Sequence, residues 1–176
     1  MKNIINITLN LLDNHIQKKN LDILKKNLGK KIKIYIDVGA HNGEMIKIIS
    51  KEFDIKKILA FEPNPDCMIN LKNLKKKNLK IFEMALGDKL GFANLNVGHI
   101  SSMSTINKLN YRSFYTNIKK FVISLFYFKN SIYKNKIRIK RNELFNVLKD
   151  QKVENIDLIK IDTEGHEFNV LKGLRN

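Results

Sequence analysis

The chain has 176 residues, 33 of them basic and 17 acidic, and its formal net charge is +16. This length is typical of one domain with a hydrophobic core, and the hydrophobic fraction of 43% is that of an ordinary globular protein. Cys67 is the only cysteine, which excludes an internal disulfide, and no apolar run approaches the roughly 18 residues that a membrane span requires.

The N-terminal sequence lacks the pattern of a signal peptide. The apolar run at residues 4–12 is interrupted by asparagine and threonine, and no small-residue cleavage site follows it. Together with the single cysteine, which is compatible with a reducing compartment, this predicts a cytoplasmic protein.

The high positive charge has two interpretations. A charge this far from zero favours anionic partners such as RNA, lipid headgroups or anionic sugars. Lysine, asparagine and isoleucine, however, are spread through every segment, the predicted strands included. A uniform compositional bias therefore explains the charge better than a functional basic surface, although both interpretations stay open.

Residues 1–31 are predicted to form a helical segment that precedes the main domain, residues 32–176. Apolar side chains recur at near-helical spacing over residues 4–28. Asn20 is a possible break within the segment, and Gly29 marks its end. We expect this segment to pack on the sheet or to cover the ligand-binding cleft.

The first predicted strand ends in a glycine turn. Residues 32–38 are an apolar run, followed by Gly39, Gly43 and a helical pattern from Met45 onward. Glycine allows the backbone to approach a ligand, and a helix N-terminus offers it free N–H groups. Because the third glycine of the dinucleotide fingerprint is absent, the spacing departs from the NAD pattern and fits the looser turn that binds S-adenosylmethionine (SAM). A tight turn without a ligand is the alternative.

The second predicted strand, residues 58–61, ends in Glu62. An acid about 20 residues beyond the glycine turn lies where a ribose-binding carboxylate belongs. Its two oxygens are able to accept hydrogen bonds from two neighbouring ribose hydroxyls. The alternative is an acid that simply faces water. Pro63 and Pro65 force a turn, after which Asp66 is predicted to cap a helix over residues 66–77.

The third predicted strand, residues 79–85, leads into a loop at the same edge of the sheet. Loops at the carboxyl ends of parallel strands line the ligand cleft. Ala85 and Leu86 are therefore candidates for sandwiching the adenine ring, and Asp88 is a candidate acceptor for its exocyclic amine. A plain turn before a hairpin is the alternative. Residues 92–106 alternate like a strand and end in a serine cluster that either faces the methyl acceptor or satisfies turn backbone.

Residues 107–135 are predicted to form a basic, aromatic insertion. Its aromatic residues are Tyr111, Phe114, Tyr115, Phe121, Phe126, Tyr127, Phe128 and Tyr133, and lysines and an arginine are interspersed among them. A helical lid whose aromatics are core is the preferred interpretation. Peripheral contact with a membrane surface and binding of single-stranded RNA remain the alternatives.

The fourth strand of the main sheet is predicted to end in a cluster of acids. A strand at residues 137–140 and a helix over 141–149 precede it, and Asp162, Glu164 and His166 follow it. Asp162 or Glu164 is expected to contact the methionine end of SAM or the acceptor. His166 is a candidate general base, because an unperturbed histidine has a pKa near 6.5. Lys160 is expected to pair with a buried acid. A histidine two residues from a glutamate is poor ligand spacing, so no metal is predicted.

Three motifs, in this order and at compatible spacing, resemble the FkbM family of SAM-dependent methyltransferases. They are Asp37-Val-Gly-Ala-His-x-Gly43, Phe61-Glu-Pro-Asn64 and Ile159-Lys-Ile-Asp-x-Glu-Gly-x-Glu167. The similarity extends over roughly residues 33–173.

The resemblance implies an α/β fold of the Rossmann-like methyltransferase type, with a mostly parallel sheet and helices on both faces. It implies SAM as the cofactor and O-methylation of a small hydroxyl-bearing acceptor, for which a saccharide is one candidate. The residues that it assigns to the cofactor site are Asp37, Gly39, Ala40, His41, Gly43, Glu62 and Asn64.

A complete sheet of this family has seven strands, and the sequence supplies the first four together with extra strands. We therefore expect a domain that is incomplete at its C-terminus, with the later strands missing. Two other functions stay open on the sequence: methylation of RNA, which the charge alone favours, and an inactive remnant that retains at most SAM binding.

Overall fold

The computed structural model describes residues 19–107, 114–127 and 131–175. The strands are β1 (Lys31–Val38), β2 (Asp54–Phe61), β3 (Leu79–Phe82), β4 (Ala85–Leu86), β5 (Gly91–Gly98), β6 (Tyr133–Asn142) and β7 (Leu158–Ile161). The helices are α1 (19–28), α2 (Glu44–Glu52), α3 (Pro65–Lys72), α4 (Phe114–Tyr127), α5 (Leu144–Asp150) and α6 (Glu167–Lys172). The predictions for residues 1–18, 108–113 and 128–130 lie outside the described residues.

The central sheet has four parallel strands in the order β3-β2-β1-β7. Its side chains alternate between two hydrophobic cores. Tyr35 and Ile58 belong to the core that α1, α2 and α3 cover, while Ile36 and Leu59 belong to the core that α5 and α6 cover. Because both faces are covered, the last four residues of β1 and of β2 are all buried. The predicted α/β fold, with a parallel sheet between helices, is confirmed.

A second sheet has three strands in the order β4-β6-β5. β5 and β6 pair antiparallel, and the two residues of β4 pair parallel with Arg141 and Asn142. The prediction that residues 79–85 form one strand is wrong. Phe82 is the last residue of β3 to pair with β2, and β2 itself ends before Pro63, which has no N–H for a further ladder. The chain therefore leaves the central sheet, and Ala85 begins the pairing with β6.

Helix α3 differs from the prediction at both ends. Its N-cap is Asn64, whose side-chain oxygen accepts a hydrogen bond from the Asp66 backbone N–H at 3.1 Å. Asp66 therefore lies in the first turn and is not the cap. The helix ends at Lys72, because Lys75 adopts a left-handed conformation with φ of 47° in the turn before β3. The later strand and helix are also shifted: β6 is longer than residues 137–140, and α5 begins at Leu144.

Helix α4 lies within the predicted insertion. Phe114, Ile118, Phe121 and Leu125 are exposed, and their spacing places them on one face of the helix. Ile123, in contrast, is fully buried. The prediction that the aromatics of the insertion are core is therefore wrong for Phe114 and Phe121, which are 81% and 67% exposed. No helix of the described residues is long and apolar enough to cross a membrane.

Candidate active site

A cavity opens where the carboxyl ends of β1, β2 and β7 meet, as expected for a parallel sheet. The loops after these strands form one side of it, and residues 101–106 form the other. The polar residues at its lining include His41, Glu44, Glu62, Ser101, Ser102, Ser104, Thr105, Lys160, Asp162, Thr163, Glu164 and His166.

The loop after β1 depends on Gly39, where two loops come into contact. Gly39 has φ of 75°, which favours glycine, and a Cβ placed there would lie 1.9 Å from the backbone oxygen of Asp162. The N–H groups of Gly39 and Ala40 both donate to the carbonyl of Phe61, at 2.9 and 3.0 Å. The loop after β1 is thus packed directly against the ends of both neighbouring strands.

Gly43 and His41 complete this loop in different ways. Gly43 is the N-cap of α2 and packs against Leu74, away from the cavity. His41 lines the cavity, and its ring contacts Glu44 through Nδ1 at 3.0 Å and the Ser101 hydroxyl through Nε2 at 2.7 Å. His41 therefore connects the loop after β1 to Ser101 on the opposite wall of the cavity.

Asp37 lies beneath the cavity and forms a buried ion pair. Its carboxylate is fully buried, and the Lys160 ammonium lies 3.3 Å from it. The same ammonium donates to the Gly39 carbonyl at 2.7 Å and lies 3.6 Å from Asp162. Burial raises the pKa of Asp37, and Lys160 opposes that rise. The prediction that Lys160 pairs with a buried acid is confirmed.

Glu62 is the most buried acid of the cavity lining. It is only 7% exposed, and its two oxygens accept hydrogen bonds from the backbone N–H groups of His41 at 2.9 Å and Asn64 at 2.8 Å. Burial raises the pKa of Glu62, although these two N–H groups oppose the effect. Each carboxylate oxygen offers two acceptor sites, so both oxygens retain capacity for a ligand.

The other predicted cofactor residues are divided between the cavity and its surroundings. Ala85 and Leu86 line the cavity as members of β4, next to Phe61, whose ring stacks on Phe82 with 4.7 Å between centroids. Asn64 is buried and caps α3. Asp37, Gly43, Asn64 and Asp88 do not belong to the lining. Their predicted contacts with a cofactor stay predictions.

The loop after β7 brings the three predicted catalytic residues, Asp162, Glu164 and His166, to the cavity. Glu167 folds back onto this loop, and its carboxylate accepts hydrogen bonds from the backbone N–H groups of Thr163 at 2.8 Å and Gly165 at 3.0 Å. The loop is therefore held in a fixed shape by a residue at the start of α6.

His166 is the most enclosed of these three residues, with 5% exposure. Its Nδ1 lies 3.0 Å from Asn107 Oδ1, while its Nε2 is buried and makes no hydrogen bond to the described part of the chain. Burial lowers the pKa of His166, and the nearby Arg141 guanidinium lowers it further. Both effects favour the neutral imidazole at pH 7, and one of its ring nitrogens is buried without a hydrogen bond to the described residues.

Sequence reasoning missed Thr105 and Asn107, which hold the loop after β7 from the opposite wall. The Thr105 hydroxyl donates to the Glu164 carbonyl at 2.9 Å, and the Asn107 amide donates to the Gly165 carbonyl. Both residues lie in an irregular segment, and their partners are 59 and 58 residues away along the chain. Neither periodicity nor a local motif carries a signal for such a contact.

Comparisons with known proteins identify the family of the chain. The family described as Methyltransferase FkbM domain matches residues 37–176. Methyltransferase sdnD from Sordaria araneosa is 30% identical over 166 residues, which cover 79% of this chain and 59% of that protein. The chain thus spans about three fifths of the length of this curated relative. A solved structure, methyltransferase FkbM from Methylobacillus flagellatus KT, is 15% identical with a TM-score of 0.44 and covers 82% of this chain and 29% of that chain. Because the family match extends over most of the sequence, the chain belongs to the FkbM methyltransferase domain family.

Proposed function

We propose that the chain is a SAM-dependent methyltransferase that transfers a methyl group to a hydroxyl of a small acceptor, with saccharides as the first class to screen. One observation carries the proposal: a single cavity is lined both by a buried carboxylate, Glu62, and by a neutral histidine, His166, with an unengaged ring nitrogen. The carboxylate suits the ribose hydroxyls of SAM, and the histidine suits the hydroxyl of the acceptor.

Glu62 supports the cofactor half of the proposal. Its oxygens are held by the His41 and Asn64 backbone N–H groups, and their remaining acceptor sites suit the two ribose hydroxyls of SAM. Ala85 and Leu86 supply an apolar wall for the adenine ring. The acids of the lining also favour a cationic ligand, since opposite charges attract strongly where water is excluded.

His166 supports the acceptor half. SAM supplies a methyl group that is activated by its positive sulfur. Attack by the acceptor oxygen forms an O–C bond while the S–C bond breaks and the sulfur keeps the electron pair. The hydroxyl proton must leave, and we propose His166 as the general base that receives it, because this residue lines the cavity and its Nε2 makes no hydrogen bond among the described residues. Asp162 and Glu164 remain the proposed contacts to the methionine end of SAM or to the acceptor.

Calorimetric titration with S-adenosylhomocysteine tests the cofactor site directly. We expect the purified chain to bind with micromolar affinity and Glu62→Gln to bind much more weakly, because the amide replaces one acceptor oxygen with a donor. Glu83→Gln is the matched control, since Glu83 lies after β3 and its side chain is 55% exposed. A folded chain that does not bind S-adenosylhomocysteine would overturn the proposal.

The acceptor class is open to a separate test. Among the described residues that line the cavity, Lys160 is the only lysine or arginine, and it is paired with Asp37. A nucleic-acid acceptor needs cations for its phosphates, so this lining favours a small neutral or sugar-like acceptor over RNA. Methyl transfer that falls steeply with salt on an RNA substrate would instead support the RNA alternative.

We also propose that α4 contacts a membrane surface peripherally. Its exposed stripe of Phe114, Ile118, Phe121 and Leu125 is apolar, and the net charge of +16 favours anionic headgroups.

Flotation with phosphatidylcholine vesicles, with and without phosphatidylglycerol, tests the contact. We expect binding to the anionic vesicles only, and loss of that binding in Phe114→Ser/Phe121→Ser. The control Phe92→Ser/Phe168→Ser removes two exposed phenylalanines outside α4 and should still bind. Absence of binding, or equal loss in both variants, would contradict the proposal.

A further inference from the structure

We propose that Asn107 is a positioning residue that fixes the tautomer of His166, so that Nδ1 carries the proton and Nε2 keeps its lone pair. The inference rests on the proposed function, in which Nε2 receives the proton of the acceptor. It assigns a role to a residue that lies on the opposite wall and outside every motif of the sequence.

The orientation of the Asn107 amide follows from its partners. The Asn107 side-chain nitrogen donates to the Gly165 carbonyl, and its backbone N–H donates to the Thr105 hydroxyl at 3.1 Å. A carbonyl oxygen is only an acceptor, so the NH₂ group of the amide must face Gly165. The hydrogen bond to Gly165 therefore determines which end of the Asn107 amide is the oxygen and which is the nitrogen.

The tautomer of His166 then follows from the amide. With its NH₂ group on Gly165, Asn107 directs Oδ1 towards His166 Nδ1 at 3.0 Å. An amide oxygen only accepts hydrogen bonds, so Nδ1 must carry the hydrogen. In a neutral imidazole the other nitrogen, Nε2, is then an acceptor.

Asn169 is also close to His166, and it is compatible with this assignment. Its amide nitrogen lies 3.1 Å from His166 Nδ1. Because the oxygen and nitrogen of an amide can be exchanged by rotation, Asn169 can turn its oxygen towards a protonated Nδ1. The Gly165 carbonyl gives Asn107 no such freedom, so Asn107 determines the tautomer.

Burial and charge both act on the His166 ring. Burial lowers the pKa of His166 and the Arg141 guanidinium lowers it further, while Asp88 and Glu167 act in the opposite direction. A Cβ at Gly87 would lie 3.1 Å from His166 Nε2 and 3.0 Å from Arg141 Cδ, so the absence of a side chain at Gly87 leaves room for both residues. The neutral ring with a free Nε2 is the form that a general base requires at pH 7.

Nitrogen-15 NMR of the histidine rings measures the tautomer without cofactor or acceptor. The chain has four histidines, so the spectrum of His166→Gln identifies the signals of His166. We expect the native protein to show a protonated Nδ1 and an unprotonated Nε2. A native protein with the proton on Nε2 would overturn the proposal.

Two variants of Asn107 separate positioning from a merely structural role. Asn107→Asp and Asn107→Leu both lose the donor to Gly165, but only the leucine also loses the acceptor for His166. We expect Asn107→Asp to keep the native tautomer and to raise the pKa of His166, and Asn107→Leu to mix the two tautomers. Asn78→Leu is the control, because Asn78 likewise donates to a backbone carbonyl, that of Ile55, far from the cavity. Equal ring signals in the aspartate and leucine variants would contradict the proposal.

Kinetics then distinguish failure of this inference from failure of the proposed function. With a methyl acceptor in hand, Asn107→Leu should lower kcat by up to about 100-fold, the lower end of what a general base contributes, with S-adenosylhomocysteine affinity unchanged. An active enzyme with an unchanged kcat in Asn107→Leu would overturn the positioning role alone. A chain with the expected tautomer that binds no S-adenosylhomocysteine would overturn the proposed function.

Discussion

The two sheets of the molecule differ in how completely they are buried. β1 and β2 each end in four consecutive buried residues, 35–38 and 58–61, because helices cover both faces of the central sheet. β6 is longer, yet Ile139 is its one buried residue. The central sheet therefore fixes the loops at its carboxyl ends through its core. The second sheet and the segment that follows β5 supply a wall whose position depends on hydrogen bonds to those loops.

The largest effect is expected where the loops of the central sheet touch. Gly39→Ala places a Cβ 1.9 Å from the Asp162 backbone oxygen in a left-handed conformation. The clash involves the backbone of both loops, so no side chain can rotate to relieve it. We therefore expect a loss of about 4 kcal/mol or more in the free energy of unfolding. Urea denaturation followed by circular dichroism measures this loss.

Gly29→Ala is the control for this prediction. Gly29 also has a positive φ, of 68°, but an added Cβ meets nothing within 4 Å. Only the backbone strain remains, which costs about 1–2 kcal/mol. Equal losses in the two variants would show that the contact between the loops after β1 and β7 contributes nothing.

The ion pair beneath the cavity should give the next largest effect. Lys160→Met leaves the fully buried Asp37 without its partner, which we expect to cost about 3 kcal/mol at pH 7. The pKa of Asp37 is already raised by burial and rises further in the variant. A carboxyl with a raised folded-state pKa destabilises the fold above that pKa, so the loss should diminish as the pH falls towards 4. Denaturation of the variant at both pH values measures the difference.

The double variant Asp37→Asn/Lys160→Met completes this experiment. It removes both charges, so most of the lost stability should return and the pH dependence should disappear. A double variant that is no more stable than Lys160→Met would show that Lys160 acts mainly through the Gly39 carbonyl, a contact that both variants lose.

The same contrast between sheets explains what the sequence predicted. Gly39, Glu62 and Asp162 belong to strand-to-loop transitions in which a buried apolar run is followed by glycine or acid, and such transitions are visible in one sequence. The central sheet, its parallel direction and the pairing of Lys160 with an acid followed from those transitions. These features depend on residues that are close in the chain or on the alternation of side chains along a strand, and both are visible in the local sequence.

The remaining features depend on contacts that no local pattern records. The split between β3 and β4 is set by where β2 ends. Asn64 caps α3 although the predicted cap, Asp66, is an equally good capping residue type. Asn107 meets His166 across 59 residues of chain. The exposure of Phe114 and Phe121 likewise depends on which face of α4 meets the rest of the molecule, and the aromatic composition of the insertion does not determine it.

A smaller effect is expected in the pH dependence of cofactor binding. The ribose hydroxyls should bind the ionised form of Glu62, whose pKa is raised by burial. Affinity for S-adenosylhomocysteine should therefore fall as the pH drops through this raised pKa, beginning above the value of about 4.3 for an ordinary glutamate, by up to about tenfold per pH unit. Calorimetry between pH 8 and 5 measures it. Glu62→Gln should bind weakly with little pH dependence, and the same slope in that variant would assign the titration to another group.

The smallest effect is expected on the exposed face of α4. Phe114→Ser/Phe121→Ser removes two phenyl rings that are already in contact with water, so the free energy of unfolding should change by no more than about 0.5 kcal/mol for each. Ile123→Ala, on the buried face of the same helix, should cost about 2–5 kcal/mol because it leaves a cavity. Thermal denaturation of both variants measures the difference. If the two variants lose similar stability, the aromatic face of α4 packs against the rest of the molecule. The region around the second sheet would then be as well packed as the central sheet. If only Ile123→Ala loses stability, the aromatic stripe is retained for something other than folding, which is the condition that the proposed membrane contact requires.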